Sequence, residues 1–359
     1  MQKISWILEL KQKTPQFLEK LKGQKIPGFF HYSLSGDLYD EDLKWGLGNT
    51  VFAVKIYHTL GLLHSLKLKE KNDLIRFIQT FRDNQGYFYD PLIREKSRGR
   101  NLLISIKNKN WSNWRGRETM IAETRQALSA LKLLGEKTIA PAFHIPNSPE
   151  TVTRYLQKLP WHKPWHAASH FSHLLFFLKN SDLANKSALI DNAIDWIKKI
   201  QNQNDGAWYQ GNPIWQEKIN GAMKIITGLK VAEKMNFQYP EKLIDLCLAA
   251  KNGKHACDHF NLVYVLHYAN KIAGKNYRLA EIKKFSEERL EIYKKYYFPK
   301  IGGFSFWARK ANDCYYGAKI TKGLNEPDIH GTCMFLWGIS IIAQILGIDQ
   351  ELKFHEHTP

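Results

Sequence analysis

The sequence predicts an all-α protein, an (α/α)6 toroid (barrel) of six inner helices ringed by six outer ones, in a single domain spanning residues 1–359. Three observations predict it. Alternating runs rich in Val, Ile and Thr are scarce, so strand signals are weak and the helical period dominates. The helical segments are of two kinds that alternate along the chain. A Gly-x-aromatic mark also recurs in the connections, in phase with that alternation.

The first kind of segment is amphipathic: Ile4–Leu21, Leu68–Phe81, Pro149–Leu159, Leu183–Ile200, Pro240–Ala250 and Leu279–Tyr297. Ser148-Pro149-Glu150 and Tyr239-Pro240-Glu241 open two of them, with Pro where a missing N–H costs nothing. The second kind is apolar nearly all round and must be buried on all sides. Its members begin with small or polar clusters: Gly48-Asn49-Thr50, Glu123-Thr124-Arg125, Ala168-Ser169-His170, Asn220-Gly221-Ala222, Ala256-Cys257-Asp258 and His330-Gly331-Thr332. Three end at Leu60-Gly61, Leu134-Gly135 and Leu346-Gly347, the expected C-terminal glycine. The repeated mark reads Gly28-Phe29-Phe30, Gly86-Tyr87-Phe88, Gly206-Ala207-Trp208 and Gly302-Gly303-Phe304. Glycine supplies a bend there and the aromatic packs it back onto the body. Two nested rings bury every face of the apolar helices, whereas a linear solenoid leaves one face of each wet. The basic stretch Arg94–Arg117 reads as a long loop within this domain.

Composition narrows the classes. At 359 residues, 44% hydrophobic and 24% charged, the chain can bury a full core and is neither disordered nor a disulfide scaffold. Fifty-two basic against 34 acidic residues give a net charge of +18, which suits an anionic partner or a solvated exterior. Charge interrupts the N-terminal apolar run every few residues, so neither a signal peptide nor a transmembrane segment is expected there. The cysteines Cys247, Cys257, Cys314 and Cys333 read as free thiols in a reducing, cytoplasmic setting. Walker loops, dinucleotide fingerprints, nucleophile elbows and sequence-specific nucleic-acid modules are absent. Contact with a membrane periphery stays compatible with the charge.

In an alternating ring the inner helices run the same way, so their polar N-terminal clusters meet at one mouth with their positive dipole ends. The candidate acid–base residues there are Glu123, His170, Asp258, Asp328 and His330. Asp328 also suits an N-cap, and two residues on it can orient the His330 imidazole. Arg125 and Asn220 are candidates for holding an anionic substrate. Trp114, Trp208, Trp215 and Tyr316 are candidates for the wall of a cavity, stacking sugar rings or stabilising a carbocation. Cys257, Asp258 and His330 form a weak candidate zinc set, without the paired spacings of known zinc motifs. His166 and His170, four apart on one face with His173 beyond, suit a metal pair or packed core histidines.

The repeats, above all Gln201-Asn202-Gln203-Asn204-Asp205-Gly206-Ala207-Trp208, resemble the QW-type repeats of squalene-hopene cyclases and of protein prenyltransferase β subunits. Asp328-Ile329-His330-Gly331-Thr332-Cys333 is similar to the zinc-histidine helix of the latter. The resemblance implies an α/α toroid with a central cavity and an anionic isoprenoid, of the prenyl diphosphate type, as substrate. The cyclases' Asp-x-Asp-Asp acid motif is absent, and Asn202 stands where the repeat takes Gln. Expected activities are therefore a terpenoid cyclase or transferase (an isomerase or transferase reaction), a lyase, hydrolase or epimerase acting on an acidic glycan, or a non-catalytic binding toroid.

Overall fold

The computed structural model describes residues 5–108, 111, 113–141, 145–250, 253–274 and 276–358. Ile4, the first residue of the first expected segment, and 109, 110 and 112 of the basic stretch lie outside them. The chain is predominantly helical. In order, the helices are α1 (Ser5–Leu8), α2 (Leu10–Leu21), α3 (Leu47–Thr59), α4 (Leu68–Gln79), α5 (Pro91–Asn108), α6 (Arg117–Leu133), α7 (Pro149–Gln157) and α8 (Pro164–Lys179). There follow α9 (Lys186–Lys198), α10 (Trp215–Val231), α11 (Pro240–Leu248), α12 (Ala256–Ile272) and α13 (Leu279–Tyr293). Two short antiparallel hairpins come next: β1 (Tyr297–Phe298) with β2 (Gly303–Phe304), and β3 (Cys314–Tyr315) with β4 (Ala318–Lys319). The chain closes with α14 (Ile329–Leu346) and α15 (Asp349–Leu352).

Buried and amphipathic helices alternate from α2 to α4 and from α6 to α14, with α5 standing outside the pattern. Every residue of α3 except His58 is buried, and α12 is buried from Ala256 to Asn270 apart from Cys257. α14 is long and apolar enough to cross a membrane, the one such helix among the described residues, yet 83% of it is buried within the protein. α5 was expected as a loop and is instead a helix. Its inward stripe is Ile93, Ser97, Asn101 and Ser105, a four-residue period written mostly in small polar side chains, to which a hydrophobic pattern is blind.

The contacts divide the chain into two compact units. The first comprises residues 1–138, 291–340 and 348–357; the second comprises 139–290, 341–347 and 358–359. In the first, α3 packs on α6 and α4, α2 on β2, and α5 on β4. Trp45, Tyr32, Phe29, Phe30 and Phe88 are fully buried among them. In the second, α8 and α10 form the closest pair, α12 packs on α10 and α11, and α9 on α7 and α8. Gly221 and Gly228, seven apart on one face of α10, stand against Pro164 and Ser172 of α8, where a Cβ has no room.

The four Gly-x-aromatic marks form one recurring turn. Each glycine has positive φ: +86° at Gly28, +87° at Gly86, +73° at Gly206 and +92° at Gly302. The aromatic that follows pairs back onto the end of the preceding amphipathic helix, as in Lys22 with Phe30, Arg82 with Phe88 and Gln201 with Trp208. Tyr297 pairs with Phe304 in the fourth. Three of the glycines also press on the backbone of another amphipathic element: Gly28 at Asp73, Gly206 at Tyr239 and Gly302 at Lys13. A buried-helix threonine then ties down the aromatic. Phe88 N–H donates to Thr124 Oγ1 (2.9 Å) and Phe304 N–H to Thr332 Oγ1 (2.9 Å).

Candidate functional site

The first unit concentrates the chemistry. His330 lies in the first turn of α14, half-buried, with its ring stacked on Phe52 at 4.4 Å and 12°. Phe306 packs at 4.7 Å, and Tyr315 and Tyr32 stand edge-on at 6.3 and 6.4 Å. The Tyr32 hydroxyl holds the imidazole through Nδ1 at 3.1 Å and itself accepts from Asn312 Nδ2 at 2.9 Å. The other Asn312 amide proton goes to the Cys314 carbonyl, 2.7 Å away, which fixes that amide's orientation. His330 is thus an imidazole held in place inside four aromatic rings.

Glu123, on α6, is 2% exposed. Its Oε2 accepts the Asp90 N–H at 3.0 Å, while Oε1 is buried with no hydrogen-bond partner. Burial, and then the neighbouring Asp90 charge, raise its carboxyl well above the usual range. The Glu123 charge also acts on the buried Tyr315 phenol, whose ionisation is pushed up first by burial. One turn from Phe52 on α3, Lys55 is 3% exposed and donates to Gln126 Oε1. Its charge reaches Cys333, whose thiol burial pushes up to about 12.

Asp90, not among the expected site residues, is a main organiser of this unit. It is 1% exposed, accepts Gly46 N–H at 2.7 Å and Leu47 N–H at 3.3 Å, and accepts Ile93 N–H at 3.1 Å. One carboxylate therefore caps α3 and α5 together. Burial raises its ionisation as well. A capping role could have been suspected from Asp90-Pro91, since proline favours the first helical position.

Asp328, expected as an acid–base residue, spends its oxygens on backbone. Oδ1 accepts Gly331 N–H at 2.8 Å, and Oδ2 accepts Phe306 N–H at 2.7 Å and Asn312 N–H at 3.1 Å. It is fully buried, and that burial pushes its pKa up to about 7. It holds the main chain at the start of α14 and at Phe306 and Asn312, while the His330 ring is held by Tyr32. The α6 start is capped too, with Glu118 N–H donating to Asn113 Oδ1 at 2.9 Å. The starts of α3, α6 and α14 are therefore already occupied by side-chain caps, so positive charge for an anion has to come from side chains here.

Arg125 is 3% exposed on α6 in this unit. Tyr316, half-buried in the turn of the second hairpin with φ +44°, packs on Tyr315 at 4.5 Å. Trp114 stands 6.4 Å from Trp111 and carries the Arg115 guanidinium 4.3 Å over its face.

The second unit holds the remaining candidates. Asn220 and Asp258 meet in a buried network: Asn220 Nδ2 donates to Asp258 Oδ1 at 3.4 Å, and Asn261 Nδ2 donates to Asn220 Oδ1 at 2.8 Å. Asp258 also accepts Lys254 N–H at 3.1 Å, and His255 Nε2 lies 3.6 Å from it. Burial lowers the pKa of His255, so the imidazole beside Asp258 is neutral at pH 7. His170 Nδ1 is 2.9 Å from the Tyr155 hydroxyl and its ring is 4.8 Å from His166. Of the weak zinc set, Cys257 and Asp258 belong to this unit and His330 to the first.

Trp208 is 1% exposed and packs on Phe237 at 5.4 Å as the anchor of its Gly turn. Trp215 opens α10, half-buried. In the same turn the repeat's Gln position falls on Asn202, but Gln201 supplies the anchoring amide. Gln201 Nε2 donates to the Gly206 carbonyl at 2.8 Å and to the Gln238 carbonyl, while its Oε1 accepts Gln238 N–H at 3.0 Å. The Asn202 side chain accepts Asn204 N–H at 2.9 Å on the exposed side. The chain matches no protein-family model, and no curated protein shows significant similarity to it.

Proposed function

We propose that this protein is an enzyme acting on an anionic isoprenoid of the prenyl diphosphate type, by carbocation chemistry in the first unit. The observation that carries this reading is Glu123: a buried carboxyl with one unbonded oxygen, whose pKa burial raises so that it holds its proton more tightly, electrostatically coupled to the aromatic group around His330. Such an acid can donate a proton or hydrogen-bond a leaving oxygen, and removal of water keeps the developing cation from being quenched. Phe52, Phe306 and Tyr315 present ring faces and edges of the kind that stabilise a cation. In the tautomer that donates Nδ1–H to the Tyr32 oxygen, His330 Nε2 carries the basic lone pair and takes the final proton. Lys55 and Arg125 supply positive charge for the anionic group, Tyr32 positions the imidazole, and Asp328 fixes the backbone that carries it.

The finer architecture belongs to the same proposal: six buried helices enclosed by six amphipathic ones. The recurring Gly turns support it, since the turn after the last amphipathic helix packs on the first, Gly302 against Lys13. A cytoplasmic setting is proposed with it, from the free cysteines.

The test is turnover of a panel of prenyl diphosphates and acyclic polyprenes, with acidic polysaccharides assayed in parallel. Glu123→Gln keeps an acceptor for Asp90 N–H, so it should fold normally and lose roughly 10²- to 10⁴-fold in kcat. Full activity in that variant, or turnover of glycans alone, refutes the reading.

A further inference from the structure

The α5 helix is built inside out. The stripe it turns toward the protein is mostly small and polar, Ser97, Asn101 and Ser105 after Ile93. Its outer side carries aliphatic residues: Leu103 is 70% exposed, Ile106 56% and Leu102 40%. At about 100° per residue these three fall within one outward arc, with Gly99 between them and the helix start. Lys96 and Lys107, both exposed, line one flank of that arc, and Arg98, also exposed, lies on the other. A water-facing helix has no reason to place its largest aliphatics outward and its hydroxyls inward; a contiguous exposed apolar face marks a contact surface. Trp111, just beyond the helix, is 55% exposed as well.

We propose that the outer face of α5 docks on an anionic lipid surface, aliphatic residues entering the headgroup boundary and the flanking cations meeting lipid phosphates. Charge selects this occupant. The helix carries Arg94, Lys96, Arg98, Arg100 and Lys107 against Glu95 alone, and the whole chain is +18. Two copies of so basic a face would repel each other, whereas an anionic membrane attracts it and accepts the aliphatics at the same time. The long basic side chains can reach outward while their stems lie along apolar surface.

The helix is also mounted on the candidate site. Asp90, bonded to Glu123, caps its first turn, and Arg100 packs against Gly317 in the hairpin that carries Tyr315. Resting on the isoprenoid reading, docking there would set the site beside the phase in which an apolar substrate dissolves.

The experiment is co-sedimentation of the full chain with vesicles, without substrate. One set is phosphatidylcholine alone and the other an equal mixture with phosphatidylglycerol. The protein should pellet with the anionic vesicles, release as salt rises from about 0.1 to about 0.5 M, and stay in the supernatant with neutral ones. Leu103→Ser with Ile106→Ser alters only exposed positions, so it should keep its melting temperature while its vesicle affinity falls on the order of tenfold or more. Arg98→Ala with Lys107→Ala should lose the preference for the anionic set. Failure of the unaltered protein to pellet, or equal binding by the Ser variant, overturns the proposal. So does a vesicle-free dimer that the Ser variant dissolves, because a second copy would then cover this face. Turnover of a detergent-dispersed prenyl diphosphate separates the two ideas: activity without vesicle binding sinks the docking alone, and vesicle binding by an inactive protein sustains it.

Discussion

Replacing Asp90 by Ala tests whether one carboxylate holds two helix starts. The change strands three backbone N–H groups, those of Gly46, Leu47 and Ile93, now 2.7, 3.3 and 3.1 Å from its oxygens. Losing an N-cap costs about 1 kcal/mol, so two caps set a floor of about 2 kcal/mol. A buried donor left unsatisfied costs about 1–3 kcal/mol. The 3.3 Å bond is the weakest of the three, and the side chain is only 1% exposed, so solvent repairs little. The expected loss is therefore about 3–5 kcal/mol, a large share of the roughly 5–15 kcal/mol of a typical domain. Urea unfolding followed by circular dichroism measures it, read as a lower midpoint at unchanged slope. Asp90→Asn should lose about half as much, because one oxygen still accepts while the amide faces a donor. A loss below about 1 kcal/mol would mean that these N–H groups find other partners, and the double-cap account would be wrong.

Two further outcomes follow from the same geometry. Asp328 has a folded pKa of about 7, above the ordinary carboxylate value because it is buried. A raised carboxyl pKa gives stability that is full below about pH 4 and is lost as pH rises from there through 7. The loss is about 1.4 kcal/mol for each pH step over which the folded carboxyl keeps a proton that the unfolded chain has released. The unfolding midpoint should therefore fall between pH 5 and pH 8, and Asp328→Asn should flatten that decline; an unchanged slope refutes the assignment. Gln201→Ala should cost about 1–3 kcal/mol by freeing the Gly206 and Gln238 backbone, against under about 0.5 kcal/mol for Asn202→Ala at an exposed turn. Thermal unfolding of the two variants decides which amide anchors the turn.

The alternation of helix types was legible because burial writes itself directly into hydrophobic periodicity. Several helix ends were legible too: Ser148 accepts Thr151 N–H at 3.3 Å, and Gly61, Gly135 and Gly347 all take positive φ. But α6, α8 and α10 start at Arg117, Pro164 and Trp215, ahead of the polar clusters at Glu123, Ala168 and Asn220 read as their beginnings. The α5 helix was missed because its buried stripe is polar, and Gly99 within it argued for a loop. At the site, His330 was marked by being polar at the head of an apolar helix, and Glu123 by being charged within an apolar run, although it lies nearly two turns into α6. Their partners Tyr32, Asn312 and Asp90 were not, since nothing local distinguishes a tyrosine that bonds an imidazole 298 residues away. Asp328 shows the limit from the other side: a carboxylate two residues from a histidine served the main chain instead. Gln201 was one position off because a turn's register is fixed by which backbone groups face inward, and composition does not show that.

The way the two units divide the chain bears on synthesis. Nearly all of the second unit is one continuous stretch, 139–290, whereas the first joins residues 1–138 to others beyond 290. On the ribosome the early helices emerge long before Asn312 reaches Tyr32, so the later stretch has its own partners first. Until α14 arrives, the aromatic side chains of the opening segment stay uncovered and exposed to self-association. Translation speed and chaperone supply should therefore govern the yield of this protein more than its final stability does.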